Sequence, residues 1–178
     1  MLTILREAVV ADAGAIAKVH VDSWKTTYPG IVPADQLARL SYSVREDTWR
    51  ARLSETGQGH MIFVAETRAN GVIGFASGGP ELSENPNYQG ELYAIYILEE
   101  YQSLGVGRRL VSRVAETFLR LGTESMLVWV LADNLARGFY ERLGGSLVAE
   151  KTDNIGGAEL KKVAYGWRDI RTLASTEV

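Results

Sequence analysis

Glu91-Leu92-Tyr93-Ala94-Ile95-Tyr96-Ile97-Leu98-Glu99-Glu100-Tyr101-Gln102-Ser103-Leu104-Gly105-Val106-Gly107-Arg108-Arg109-Leu110 joins a strand, a short turn and a glycine-marked entry into a long helix. Glu91 to Ile97 is apolar and aromatic enough for a strand. From Gly105 to Leu121 the residues Val106, Leu110, Val114 and Phe118 recur along one helical face. Between them, glycines let the backbone approach a ligand closely, and the first-turn N–H groups have no helical acceptor. With the helix dipole those amides suit an anion such as a diphosphate, and Arg108 and Arg109 add positive charge. On its own, Gly-x-Gly at a helix start reads equally as a tight turn with close helix–sheet packing. A Rossmann fingerprint would need Gly at Leu110, and the P-loop pattern Gly-x-x-x-x-Gly-Lys-Ser/Thr occurs nowhere.

Working outward, Leu2 to Val10 reads as a first strand. Asp12 is the expected N-cap of a helix running towards Trp24, with Ile16, Val19 and His20 at helical spacing. Pro29-Gly30 breaks it, and helices follow from Ala34 to Leu40 and from Val44 to Leu53. His60–Thr67 and Val72–Ser77 form a hairpin about Asn70-Gly71, a strong type I′ signal. A polar loop runs from Gly78 to Gln89. After the long helix come a strand, Ser125–Leu131, a short helix, Asn134–Leu143, and strands Ser146–Lys151 and Leu160–Trp167 joined by a turn at Asp153–Gly157. Residues 168–178 read as a loose polar tail. A hairpin meander ahead of β-α-β-α units predicts a mixed sheet with helices on its faces.

The chain has 178 residues with 19 Lys+Arg against 22 Asp+Glu, a net charge of −3. This predicts one domain and argues against a general nucleic-acid binder, which needs a basic surface. Cys is absent, which excludes a disulfide scaffold, a thiolate zinc site and a cysteine nucleophile. The longest apolar runs, such as Met61–Ala65, fall far short of the ~20 residues that cross a bilayer. No basic-then-apolar leader is visible at the N-terminus, so a soluble cytoplasmic protein is expected.

Gln102-Ser103-Leu104-Gly105-Val106-Gly107 after the strand Ile95-Tyr96-Ile97 resembles the acetyl-CoA motif of the GNAT (GCN5-related) N-acetyltransferase superfamily, Arg/Gln-x-x-Gly-x-Gly/Ala. Downstream, Asn134-Leu135-Ala136-Arg137-Gly138-Phe139-Tyr140-Glu141-Arg142-Leu143-Gly144-Gly145 resembles the family's Asn-x-x-Ala-x-x-Phe-Tyr-x-x-x-Gly-Phe. Two departures stand out. Asn134 precedes Tyr140 by six residues rather than seven, with Asp133 at the seventh position, and Gly145 replaces the closing Phe. The element order matches the family's from first strand to last. The resemblance implies an α/β (α+β) GNAT fold, a mixed, mostly antiparallel sheet of about seven strands flanked by helices. Residues 1–170 would form the domain and 171–178 a C-terminal tail.

The resemblance further implies acetyl-CoA as co-substrate. Its pantetheine would pair with the backbone of Ile95, Tyr96 and Ile97 as an added strand. Its pyrophosphate would sit on the amides of Ser103, Leu104, Gly105, Val106, Gly107 and Arg108, with Gln102 bracing the turn and Asn134 making a further contact. Glu91 stands where histone-type members place a catalytic base, and strict alternation would put Glu91, Tyr93, Ile95 and Ile97 on one face. Tyr140 stands where the family's tyrosine reaches the thioester sulfur as an acid. Glu91 also reads as a solvated carboxylate at a strand start, and Tyr140 as a helix tyrosine packed on the sheet.

An amine must lose its proton before it attacks a thioester, and with no Cys a cysteinyl acetyl-enzyme is excluded, so direct transfer in a ternary complex is expected. Trp24, Tyr28 and Tyr93 are the acceptor-site candidates. With Glu81 and Glu84 they would suit a small cationic, polyamine-like amine. A protein N-terminus or lysine is the nearest alternative acceptor, and a non-catalytic acyl-CoA sensor the alternative of another class. His20 and His60 lack metal-ligand spacing, so no metal is expected. Family habit alone suggests a homodimer.

Overall fold

The computed structural model describes residues 2–55, 57 and 59–174. The chain runs β1 (Thr3–Glu7), α1 (Ala13–Thr27), α2 (Ala34–Ala38), α3 (Tyr42–Ser54), β2 (Met61–Thr67), β3 (Gly71–Pro80), β4 (Gly90–Ile97), α4 (Val106–Arg120), β5 (Met126–Leu131), α5 (Arg137–Arg142), β6 (Ser146–Ile155), β7 (Ala158–Trp167) and α6 (Arg171–Ala174). The strands form one seven-stranded sheet in the order β1-β2-β3-β4-β5-β7-β6. Every pairing is antiparallel except β4 with β5, which α4 connects by a crossover.

Periodicity decides which faces pack. α4 buries Val106, Leu110, Val111, Val114, Ala115 and Phe118 against one side of the sheet. On the other side, Ile16, Ala17 and Val19 of α1 meet Trp49 and Leu53 of α3 over Val64 and Phe75. Asp12 stands at the predicted N-cap of α1 but makes no side-chain cap bond. Its carboxylate accepts from the Val9 N–H (2.8 Å) and pairs with Arg6 (2.7 Å).

Three expectations change. β6 runs on to Ile155, leaving Gly156-Gly157 as a two-residue turn, both at positive φ. Residues 168–174 are not a loose tail: Ile170 and Leu173 are buried in the cluster that α4 completes, and this burial holds α6 in place. Residues 175–178 lie outside the described residues. Third, β4 does not alternate strictly. Ser77 opposes Ala94 while Gly78 opposes Leu92, so Tyr93 is a bulge residue without a partner. Downstream of it Ile95 and Ile97 turn to the α4 side, whereas Ala94 and Tyr96 face α1. Glu91, next to Leu92 in the α4-side cluster, faces the opposite side. Glu91 therefore does not share a face with Ile95 and Ile97.

Candidate active site

β4 and β5 pair only from Gly90 to Leu92 against Met126 to Val128, and then separate. Beyond that point β5 remains bonded to β7, and β4 to β3. Leu98 donates its N–H to the Ile73 carbonyl (3.0 Å), which fixes the alternation of the β3–β4 ladder. Tyr96 and Ala94 thus spend their backbone groups on β3, whereas those of Ile95 and Ile97 point into the gap. Of the three residues expected to pair with a pantetheine, the backbone of Tyr96 is already committed. The Ile97 carbonyl is taken by Gln102 Nε2 (3.0 Å) and Ser23 Oγ (3.4 Å). Gln102 therefore braces the turn by tying it to the end of β4. The Ser23 contact was invisible in the sequence because it depends on how α1 lies across the sheet.

The turn itself is built for an anion. Ser103 (φ 61°) and Gly105 (φ 81°) are both left-handed, the alternation that forms a backbone nest. Ser103 to Gly105 are exposed, and no acceptor among the described residues meets the N–H groups from Ser103 to Arg108. Gly107 has a different role. A Cβ there would lie 3.2 Å from both Ile97 Cδ1 and Phe139 Cζ, so glycine lets α4 close onto β4 and α5. Arg109 is not available to a ligand in the same way, because its guanidinium donates to the Thr3 carbonyl (3.0 Å).

Gly105→Ala tests this turn. A left-handed alanine costs roughly 1–2 kcal/mol. If the turn holds its shape, the folded state loses that stability. If the turn relaxes, coenzyme A affinity falls about tenfold, the equivalent of about 1.4 kcal/mol. Thermal unfolding and calorimetric titration with coenzyme A together read the sum. No change in either would refute the role.

Glu91 lies on the last paired rung before the strands part, and it is 9% exposed. Its Oε2 accepts the Leu82 N–H (3.1 Å). Burial raises its pKa above the ordinary carboxylate range, and Glu81 adds to the rise against the opposing pull of Leu82, Lys151 and Lys162. Tyr140 is buried between Phe139, Tyr165 and Trp167, with ring centroids 5.3 to 6.4 Å apart. Its hydroxyl has no hydrogen-bond partner among the described residues. Burial, reinforced by the neighbouring Tyr96, raises its pKa, so it stays a protonated donor at neutral pH.

The other expected residues divide. Trp24 and Tyr28 meet edge to face (4.7 Å), and Tyr28 is buried with Leu131 at the end of β5, close to Tyr96 and Asn134. Asn134 is buried and its Oδ1 accepts the Ala136 N–H (2.8 Å), so that atom shapes the entry to α5. The Tyr93 hydroxyl donates to the Pro80 carbonyl (2.5 Å), and burial together with Glu91 pushes its pKa up to about 12. Glu81 is turned onto its own loop, accepting from Ser83 and from the Asn85 N–H. His20 is a core residue. Its Nδ1 accepts from Trp49 Nε1 (3.1 Å), its ring stacks on Tyr96, and burial pulls its pKa down to about 3.

Residues 84–153 match the FR47-like protein family. The chain is 47% identical over 173 residues to the uncharacterized N-acetyltransferase YuaI of Bacillus subtilis, covering 97% of this chain and 96% of that one. Its fold is similar to a GCN5-related N-acetyltransferase from Rhodopseudomonas palustris (TM-score 0.72, 22% identity, 93% and 95% of the two chains). It is also similar to YncA of Salmonella typhimurium, whose structure holds acetyl-CoA (TM-score 0.69, 21% identity, 100% and 97% of the two chains). The splayed β4–β5 pair, the nest ahead of α4 and a full-length relative at this identity agree: the chain belongs to the GNAT superfamily of N-acetyltransferases and is an acyltransferase.

Proposed function

We propose that the protein transfers the acetyl group of acetyl-CoA directly to the primary amine of a small molecule, with Glu91 as base and Tyr140 as donor to the leaving sulfur. The amides from Ser103 to Arg108 would hold the pyrophosphate, and the backbone groups of Ile95 together with the Ile97 N–H would pair with the pantetheine in the gap. Asn134 and Tyr28 line the far end of that gap. Trp24 and Tyr93 help to wall the acceptor side.

The amine nitrogen attacks the thioester carbonyl carbon, the C–S bond breaks, and the sulfur leaves as thiolate. Glu91 accepts the proton that the ammonium loses. A thiol has a pKa of roughly 8.5 and a phenol roughly 10 before burial. Complete proton transfer from Tyr140 to the thiolate is therefore uphill. Tyr140 works by hydrogen bonding to the developing negative charge, and solvent restores the thiol proton. The reading is supported by a buried, proton-hungry carboxylate on the last rung before β4 and β5 part, and by a buried phenol, unpartnered among the described residues, that lies near Tyr96 of β4.

Free thiol release from acetyl-CoA tests the reading, with amino acids, spermidine, aminoglycosides and short peptides as acceptors. Acceptor-dependent thiol with a small amine is expected. Tight coenzyme binding without acceptor-dependent thiol would overturn catalysis in favour of a coenzyme sensor, and turnover with peptides alone would overturn the small-molecule acceptor.

A further inference from the structure

α4 and α5 pack on the side of the β5–β7–β6 half-sheet that carries Val128, Val163, Tyr165 and Trp167. On the opposite side, register places Trp129 of β5, Lys162 and Ala164 of β7 and Lys151 of β6 along one face. Glu91 continues that face through its pairing with Leu127. The Tyr88 ring, lying on Gly166, borders this trough at one end, and Tyr28 with Val32 borders it at the other.

Its charges are not paired off one to one. Lys151 and Lys162 are direct cross-strand partners, so two ammonium groups oppose each other on one face, an arrangement that destabilises a strand pair. Among the described residues the only ion-pair partner of either is Asp153, 2.7 Å from Lys162 Nζ but 3.8 Å from Lys151 Nζ. The Lys151 ammonium instead lies 4.4 Å over the centre of the Trp129 ring, whose buried Nε1–H has no acceptor among the described residues. Asp153 is taken by Lys162, and Glu91 forms an ion pair with neither lysine among the described residues, so the Lys151 ammonium is left without a close carboxylate, beside an unmatched donor, on the face that holds the base.

We propose that Lys151, seated on Trp129, is the carboxylate subsite of this trough, so that the acceptor is an amine bearing a carboxylate, such as a free α-amino acid, with its amine toward Glu91. This rests on the acetyl-transfer reading above and names its acceptor class. Leu127 and Ala164 are fully buried beneath this face and offer no exposed floor, so leucine and methionine serve simply as probe acids. A polycation meets the wrong sign of charge here, since Glu81 is spent on its own loop.

The test compares leucine and methionine with leucinamide, methioninamide and spermidine in the thiol-release assay. The free acids are expected to exceed their amides by about tenfold or more in kcat/KM. Lys151→Met should erase most of that ratio and Lys151→Arg should keep it. Lys161→Met, which removes a lysine paired instead with Glu150 (2.6 Å), should not move it. Equal rates on acid and amide, or a preference for spermidine, would overturn the subsite.

Calorimetry of N-acetyl-leucine and N-acetyl-leucinamide binding to the protein–coenzyme A complex reads the same subsite without turnover. About tenfold weaker binding of the amide, lost in Lys151→Met, supports it even if no amine is acetylated, in which case the catalytic reading falls alone. Equal affinity, or no binding of either, overturns the subsite.

Discussion

Glu91→Gln is expected to lower kcat/KM at pH 7 by on the order of 10²–10³-fold, and the shape of its pH profile is the sharper result. With Glu91 ionised, the enzyme can accept the acceptor as the ammonium and take its proton. The wild-type profile then rises through the raised pKa of Glu91 to a plateau that lasts until the acceptor amine itself titrates. The glutamine variant must wait for free amine. Its rate should climb about tenfold per pH unit across the region where the wild type is flat, and the two profiles should converge in strong base. Parallel profiles would remove Glu91 from the chemistry.

The same substitution has an opposite effect on stability. Because burial raises the folded-state pKa of Glu91, the folded protein holds that proton more tightly than the unfolded chain. The favourable contribution is complete below the unfolded value of about 4.3 and is lost as pH rises through the folded value. At pH 8 the wild type therefore carries a buried charge that Glu91→Gln lacks, while Gln can still accept the Leu82 N–H. The variant should melt higher than wild type at pH 8, and the gap should close at pH 4. A variant that is slower yet more stable at alkaline pH would mark Glu91 as a residue kept for chemistry.

Tyr140→Phe is expected to lower kcat by on the order of 10²-fold while KM for acetyl-CoA changes little. The ring contacts with Phe139, Tyr165 and Trp167 survive the change, and the lost hydroxyl had no hydrogen-bond partner among the described residues. Stability should therefore stay within about 0.5 kcal/mol. Single-turnover rates separate the chemical step from product release, and equal rates in the two proteins would rule the phenol out.

The order of elements and the helical faces were legible because hydrophobic period and turn chemistry are local. The α4 stripe from Val106 to Phe118 and the β2–β3 hairpin both follow from near neighbours in the chain, although the hairpin turns through residues 68–70 with Gly71 at positive φ rather than through a two-residue type I′ turn about Asn70-Gly71. What failed was long-range. Nothing within β4 announces that Tyr93 lacks an opposite residue, because a bulge is a property of two strands together. The role of Ile170 and Leu173 was hidden by the polar residues around them, and their burial depends on α4 passing nearby. At the site, Glu91, Tyr140 and the Gln102–Arg108 turn could be named from their motifs. Lys151 and Lys162 could not be paired until register set β6 against β7.

The unpartnered residue in β4 also governs which changes in chain length the protein can absorb. Excising Tyr93 would leave a strand of uniform pleat in which Leu92 stays beneath α4, Ala94 follows on the α1 side and Ile95 returns beneath α4, so both ends keep their faces and their partners on β3. The same excision from a strand in which every residue has an opposite would instead turn one end of it by half a turn. The position where the strand can shed a residue is therefore the one that opposes nothing.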